Sequence, residues 1–295
     1  MANGIIIIDK PADWTSMDVC SKLRRLLDER RIGHAGTLDP MATGVLPVFV
    51  GRATRAVEFA ESGGKTYIAG LKLGLETDTQ DSTGQVLAEQ AVTCDRAAVE
   101  AVLEAFRGDI LQVPPMYSAL KVNGKKLYQL ARKGKTVERK PRPITIFGLD
   151  ILRQDAPDHY TIQVTCSKGT YIRTLCHDIG QKLGCGGVMD ALRRTEAAGF
   201  TLEQAVTVEQ VVQAAEAGQA QSLLMPVDTY FARYPALTIQ GKAERLCRHG
   251  NGFPWAGEDG RYRVYGSDGS FLMLGEILDG QMKTVKNFLE VESQG

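Results

Sequence analysis

A chain of 295 residues, 43% apolar and 24% charged, has the make-up of a globular protein with room for a main core and a smaller satellite, which excludes disordered and fibrous classes. Lys plus Arg and Asp plus Glu both number 35, so bulk charge neither supports nor excludes a nucleic-acid partner, and any such footprint must be local. The six cysteines, at 20, 94, 166, 176, 185 and 247, form no CxxC pair and no Cys/His spacing suited to zinc; reduced, buried thiols and no metal are expected.

Gly4 to Ile8 is a short β-branched run bounded by Asp9-Lys10-Pro11, which reads as a buried strand entering a turn. It is too short for a signal sequence or a membrane span, so a cytoplasmic protein is expected. Thr15 or Ser16 can cap a helix whose apolar face is Val19, Leu23, Leu26 and Leu27, with Arg24, Arg25, Arg30 and Arg31 around it. The segment GHAGTLDPMATG, residues 33–44, has three glycines, a proline and no periodicity and reads as a loop before a strand from Val45 to Val50. Residues 53–60 and 95–107 read as helices, and 65–75 partly alternates as an antiparallel strand.

Residues 117–143 break this pattern. They are polar and basic, and they read as an inserted arm before strands at 144–152 and 160–166. Ser167-Lys168-Gly169 turns into a helix from Thr170 to Leu183 that ends at Gly184, and further helix is expected over 201–219. From about Tyr234 the signals become short strands, with Asp268-Gly269 at a hairpin bend. The expected organisation is α+β, mainly antiparallel sheet with flanking helices over 1–230, followed by a small β-rich domain over 231–295.

Asp39 precedes Pro40, whose ring drives it out of the helical region and can present its carboxylate outward; Asp-Pro is equally at home in a plain turn. Arg173, near the start of the helix after the SKGT turn, could fork onto that carboxylate through two hydrogen bonds, or be an ordinary structural arginine. His34 and Tyr67 could stack on an unstacked base or be core residues. The arm holds Lys121, Lys125, Lys126, Arg132, Lys133, Lys135, Arg139, Lys140 and Arg142 against one acid, Glu138, a bias suited to phosphates. GxxxxGK[ST], HExxH, GxSxG and a GxGxxG after the first strand are all missing, which disfavours nucleotide hydrolysis, zinc proteolysis and dinucleotide redox chemistry.

Three blocks, GIIIIDKP with Trp14-Thr15-Ser16, GHAGTLDPMATGVLPV and CSKGTYIRTL, together resemble the bacterial tRNA pseudouridine-55 synthase family, TruB, over nearly the whole chain. The resemblance implies a pseudouridine synthase fold with a PUA-like C-terminal domain and an RNA-gripping insertion at 117–143. It implies a cofactor-free enzyme that flips the T-loop uridine of tRNA, cleaves its glycosidic bond and rejoins the base through carbon. By the same resemblance Asp39 is the catalytic residue, Arg173 its partner, Tyr67 packs on the base, His34 helps hold it out, Leu192 walls the pocket, and Lys10 with Pro11 supports the loop. Asp13 stands where the family usually has glycine; aspartate tolerates positive φ better than most residues, so the turn is expected to survive. A monomer without an obligate protein partner is expected. A non-catalytic tRNA-folding protein and a uracil-releasing glycosylase are the rival readings, and the carboxylate's role as nucleophile or base stays open.

Overall fold

In the computed structural model, which describes residues 2–122 and 124–289, the isoleucine run forms strand β1 (Gly4–Lys10). Successive side chains of a strand point to opposite faces. Ile6 and Ile8 therefore enter one apolar cluster and Ile5 and Ile7 another, which is why the run is apolar throughout rather than alternating. Helix α1 (Ser16–Leu26) covers the first face. Its start is fixed by a reciprocal cap: Thr15 Oγ1 accepts from Asp18 N at 3.1 Å, and Asp18 Oδ2 accepts from Thr15 N at 2.9 Å. Val19, Cys20 and Leu23 are fully buried, whereas Leu26 sits at the margin. Truncating Leu23 to alanine would cost about 3 kcal/mol.

Strand β2 (Ile32–His34) pairs with β3 (Thr43–Val50), so the expected loop at 33–44 shrinks to residues 35–42. Three residues carry no periodicity, and it is the edge of β3 that makes them a strand. Beyond a short 3-10 turn lie α2 (Val57–Glu61), β4 (Lys65–Leu73), the hairpin of β5 (Leu75–Thr77) with β6 (Val86–Glu89), and α3 (Arg96–Glu104). Strand β7 (Gly108–Gln112) follows; between it and β10 (Arg142–Ala156) the chain makes a small excursion of β8 (Lys121–Val122), β9 (Lys125–Lys126) and α4 (Leu127–Ala131). Next come β11 (His159–Cys166), α5 (Ile172–Leu183), β12 (Gly187–Ala197), β13 (Phe200–Thr201) and α6 (Val208–Glu216). Gly184 ends α5 at φ +78°.

The main sheet runs β1-β3-β12-β4-β11-β10-β7 and is antiparallel except where β12 meets β3. β12 is central yet unmarked in the sequence, because GVMDALRRTEA mixes charge into a buried strand and a register shift spans Asp190. A second sheet, ordered β14-β16-β17-β18-β15, follows: β14 (Ala236–Thr238), α7 (Gly241–Arg248), β15 (Phe253–Pro254), β16 (Gly260–Tyr265), β17 (Phe271–Leu278) and β18 (Gln281–Asn287). β16 and β17 form the hairpin expected around Asp268-Gly269, with Gly269 at φ +77°. The sheets meet through Phe231, Phe271 and Phe288, and through Arg55 Nη1, which donates to the Asn287 carbonyl at 2.8 Å.

Candidate active site

The loop at 35–42 is held from three sides. Ser16, buried at the start of α1, accepts from Leu38 N at 3.0 Å through its hydroxyl. Lys10 Nζ donates to the carbonyls of Pro11 at 2.8 Å, Trp14 at 2.5 Å and Pro40 at 3.1 Å, one acceptor for each ammonium proton. Arg194, fully buried on β12, donates from Nη2 to the Gly36 carbonyl at 2.9 Å and from Nε to the Val45 carbonyl at 2.7 Å. Leu38 and Ala42 pack into the same apolar cluster as Tyr67 on β4 and Leu192 on β12. Asp13 adopts φ +64°, so the turn keeps its left-handed geometry, and its N–H donates to the Pro40 carbonyl at 2.9 Å.

With its neighbours pinned, Asp39 points outward, 36% of its side chain meeting solvent. Arg173, on the first turn of α5 and 7% exposed, approaches it: Nη2 lies 3.5 Å from Asp39 Oδ2 and donates to the Tyr117 carbonyl at 2.6 Å. The expected two-pronged fork onto one carboxylate is not what forms. Nη1 instead faces a second acid, Asp81 Oδ2, at 3.6 Å, so one guanidinium is shared between two carboxylates. Asp81 is itself fixed: its Oδ1 accepts from Thr79 Oγ1 at 2.7 Å, Thr83 Oγ1 at 2.6 Å and Thr83 N at 3.0 Å. Its sequence context, TDTQDSTG, looks like any polar hairpin turn, and nothing local signals that the turn reaches α5. Arg194 was also missed, although the LRRT block holding Leu192 contains it.

Crowding by protein atoms pushes the Asp39 pKa above the ordinary carboxylate value; Arg173 opposes this, Asp81 adds to it, and Lys10 opposes it more weakly. Burial likewise brings Lys10 down to about 8. His34, near the loop's start, is lowered by burial and by Arg194, so it is neutral at pH 7. Its Nδ1 is buried with no hydrogen-bond partner among the described residues. Burial raises the Tyr67 phenol, which stays protonated. Tyr67, Leu192, Arg173 and Lys10 thus surround the loop that carries Asp39, and His34 sits on β2 beside it. Among the described residues no cluster of three or more His, Cys, Asp or Glu side chains is placed to hold a metal ion.

The basic arm starts at the site, because Tyr117 supplies the carbonyl that Arg173 grips and its hydroxyl donates to Asp78 Oδ2 at 3.1 Å. Lys121, Lys125, Arg132, Lys133 and Arg142 are exposed, and Lys126 is half-buried. Lys126 and Arg132 lie 5.7 and 5.3 Å from the Tyr128 ring, a cation-flanked aromatic surface. Arg142 already belongs to β10 and pairs with Gln112 of β7. Asn123 lies outside the described residues.

Residues 24–172 match the TruB family pseudouridylate synthase N-terminal domain, and residues 173–232 match the tRNA pseudouridylate synthase B C-terminal domain. The chain is 44% identical over 285 residues to the tRNA pseudouridine synthase B of Azoarcus sp., covering 96% of this chain and 94% of that protein. It is 44% identical over 280 residues to that of Stutzerimonas stutzeri, covering 93% and 92%. Among solved structures, an H/ACA ribonucleoprotein bound to a substrate RNA containing 2′-deoxyuridine shares the fold, with a TM-score of 0.73 at 23% identity over 98% of this chain and 86% of that one.

Proposed function

The chain belongs to the TruB family of pseudouridylate synthases and isomerises uridine to pseudouridine in tRNA; from that premise we propose that its target is position 55 in the T-loop and that Asp39 is the reacting carboxylate. The observation that carries this is the shared guanidinium: Arg173 faces the half-exposed Asp39 while Asp81 holds Arg173 from the other end of its fork.

The reaction breaks the bond between the ring nitrogen and the sugar, turns the freed uracil, and joins it again through carbon. Nothing is oxidised or reduced, and no external energy is consumed. Whether the carboxylate attacks the sugar or removes a sugar proton, it must be ionised, and Arg173 favours that form against the cost of crowding. Extracting the uridine from its stack costs roughly a few kcal/mol. Tyr67 and Leu192 offer faces for the extracted base, and neutral His34 offers a ring that can occupy the space it leaves.

Lys10 serves the loop rather than the substrate, since all its protons go to backbone carbonyls. The arm grips T-arm phosphates with Lys121, Lys125, Lys126, Arg132, Lys133 and Arg142, so binding weakens as salt rises. In this reading the enzyme works as a monomer in the cytoplasm, with tRNA as its one partner and no cofactor; no described helix is long and apolar enough to cross a membrane. The residues from about 231 act as a PUA-like domain appended to a catalytic domain.

Chemical mapping of pseudouridine in an unmodified tRNA transcript tests the target. One new modification at position 55 is the expected result; modification elsewhere, or free uracil in the supernatant, would overturn it.

A further inference from the structure

The corner where α1 runs into β2 carries five cations, Lys22, Arg24, Arg25, Arg30 and Arg31, against two acids, Asp28 and Glu29. Arg24 is spent on structure: its Nε donates to the Arg30 carbonyl at 3.2 Å and its Nη2 to the Ile32 carbonyl at 3.1 Å, which fixes the chain that leads into His34. Glu29 turns back to accept from Arg31 N at 2.9 Å. Arg25, Arg30 and Arg31 remain exposed, and no acid, carbonyl or ring engages their side chains among the described residues. Several other surface arginines are paired instead: Arg96, Arg107, Arg193 and Arg261 each meet a carboxylate within 3.2 Å. The arm likewise carries exposed cations without acids, among them Lys121, Lys125 and Lys133.

Both basic surfaces belong to elements that bind the Asp39 loop. Ser16, at the start of α1, bonds Leu38 of the loop, while Arg173, which grips the Tyr117 carbonyl at the foot of the arm, faces Asp39 itself. At 1.5 Å per residue, Arg25 stands about 14 Å along α1 from Ser16.

We propose that Arg25, Arg30 and Arg31 form a second phosphate-binding surface for the tRNA, separate from the arm. It deepens the function proposed above and rests on it, since the ligand is the same tRNA. The three guanidiniums act as charge and not as base readers, so binding here adds affinity without selecting a sequence.

The test is the triple variant Arg25→Ala/Arg30→Ala/Arg31→Ala, with Arg24 left in place, assayed on full-length tRNA transcript and on an isolated T-arm stem-loop. KM for full-length tRNA should rise about tenfold at moderate salt with kcat unchanged, and the slope of log affinity against log salt should fall by about 2 to 3, roughly 0.7 to 0.9 per contact. A loss confined to full-length tRNA puts the contact outside the T-arm; a loss on both puts it on the stem. Replacing all three by lysine should restore affinity, because phosphate accepts a point charge. An alanine variant with the wild-type KM and salt slope on both RNAs overturns the proposal. Pseudouridine formation by the unaltered enzyme is read in the same assay, so a wrong substrate would show there and not as a failure of this surface.

Discussion

Replacing Arg173 by methionine removes the cation that two carboxylates share. At 3.5 Å and an effective dielectric constant of about 20, each opposite-charge contact is worth about 5 kcal/mol before screening. Asp39 keeps a third of its side chain in solvent, so less than half of that survives, about 2 kcal/mol. Spent on the charged carboxylate the reaction needs, this corresponds to a loss of roughly 30-fold in kcat/KM at neutral pH. Asp81, almost fully buried, loses its counter-charge too, and the Tyr117 carbonyl loses its donor, so thermal stability falls as well. The direction of the pH effect separates electrostatics from simple damage. Without Arg173 only the weaker pull of Lys10 offsets the crowding that pushes the Asp39 pKa up, so the acid limb of the rate profile moves to higher pH and the deficit shrinks in alkaline buffer. Lysine in its place keeps a charge and loses the fork, and it should cost several-fold less. Single-turnover rates on tRNA from pH 5 to 9 give the answer. A methionine variant with near-normal turnover, or one with a deficit that ignores pH, would mean that Arg173 does not act by keeping Asp39 charged.

Lys10 should set an alkaline limit near pH 8: deprotonation removes a donor from the carbonyls that pin the loop, so turnover falls above that value. The fold should not weaken there, because between about 8 and the ordinary 10.5 the unfolded chain holds the extra proton and stability rises with pH; rates and melting temperatures measured together check both signs. Asp81→Asn should slow turnover about tenfold by freeing Arg173 to reorient, with KM little changed in steady-state assays on tRNA. Gly44→Ala should lower the melting temperature strongly, since a Cβ would meet the Arg194 carbonyl oxygen at 2.2 Å in a strand held at φ +102°.

The elements most legible in the sequence are those with a local cause. The isoleucine run, the Thr15 cap, the Gly184 stop and the Asp268-Gly269 bend each follow from residues within a few positions of one another. β12 is illegible because partners far back in the chain make it a strand, and β2 because three residues carry no pattern until the edge of β3, across the loop, pairs with them. The site divides the same way. The blocks around Asp39 and Arg173 stand out, and Asp81 does not, because its function depends on an ion pair spanning the turn at 81 and the helix at 173. The exchange of a two-pronged fork for a shared guanidinium is likewise a fact of packing that no spacing encodes.

The most direct test of the central claim is single-turnover pseudouridine formation by Asp39→Asn under the wild-type conditions, with melting temperature measured alongside. Crowding makes the charged acid unfavourable in the fold, and stability declines as pH rises from the ordinary carboxylate value through the raised one. The amide should therefore melt at or above the wild-type temperature at pH 7 while forming no detectable pseudouridine and still binding tRNA. A folded Asp39→Asn enzyme that converts tRNA at the wild-type rate would contradict the account.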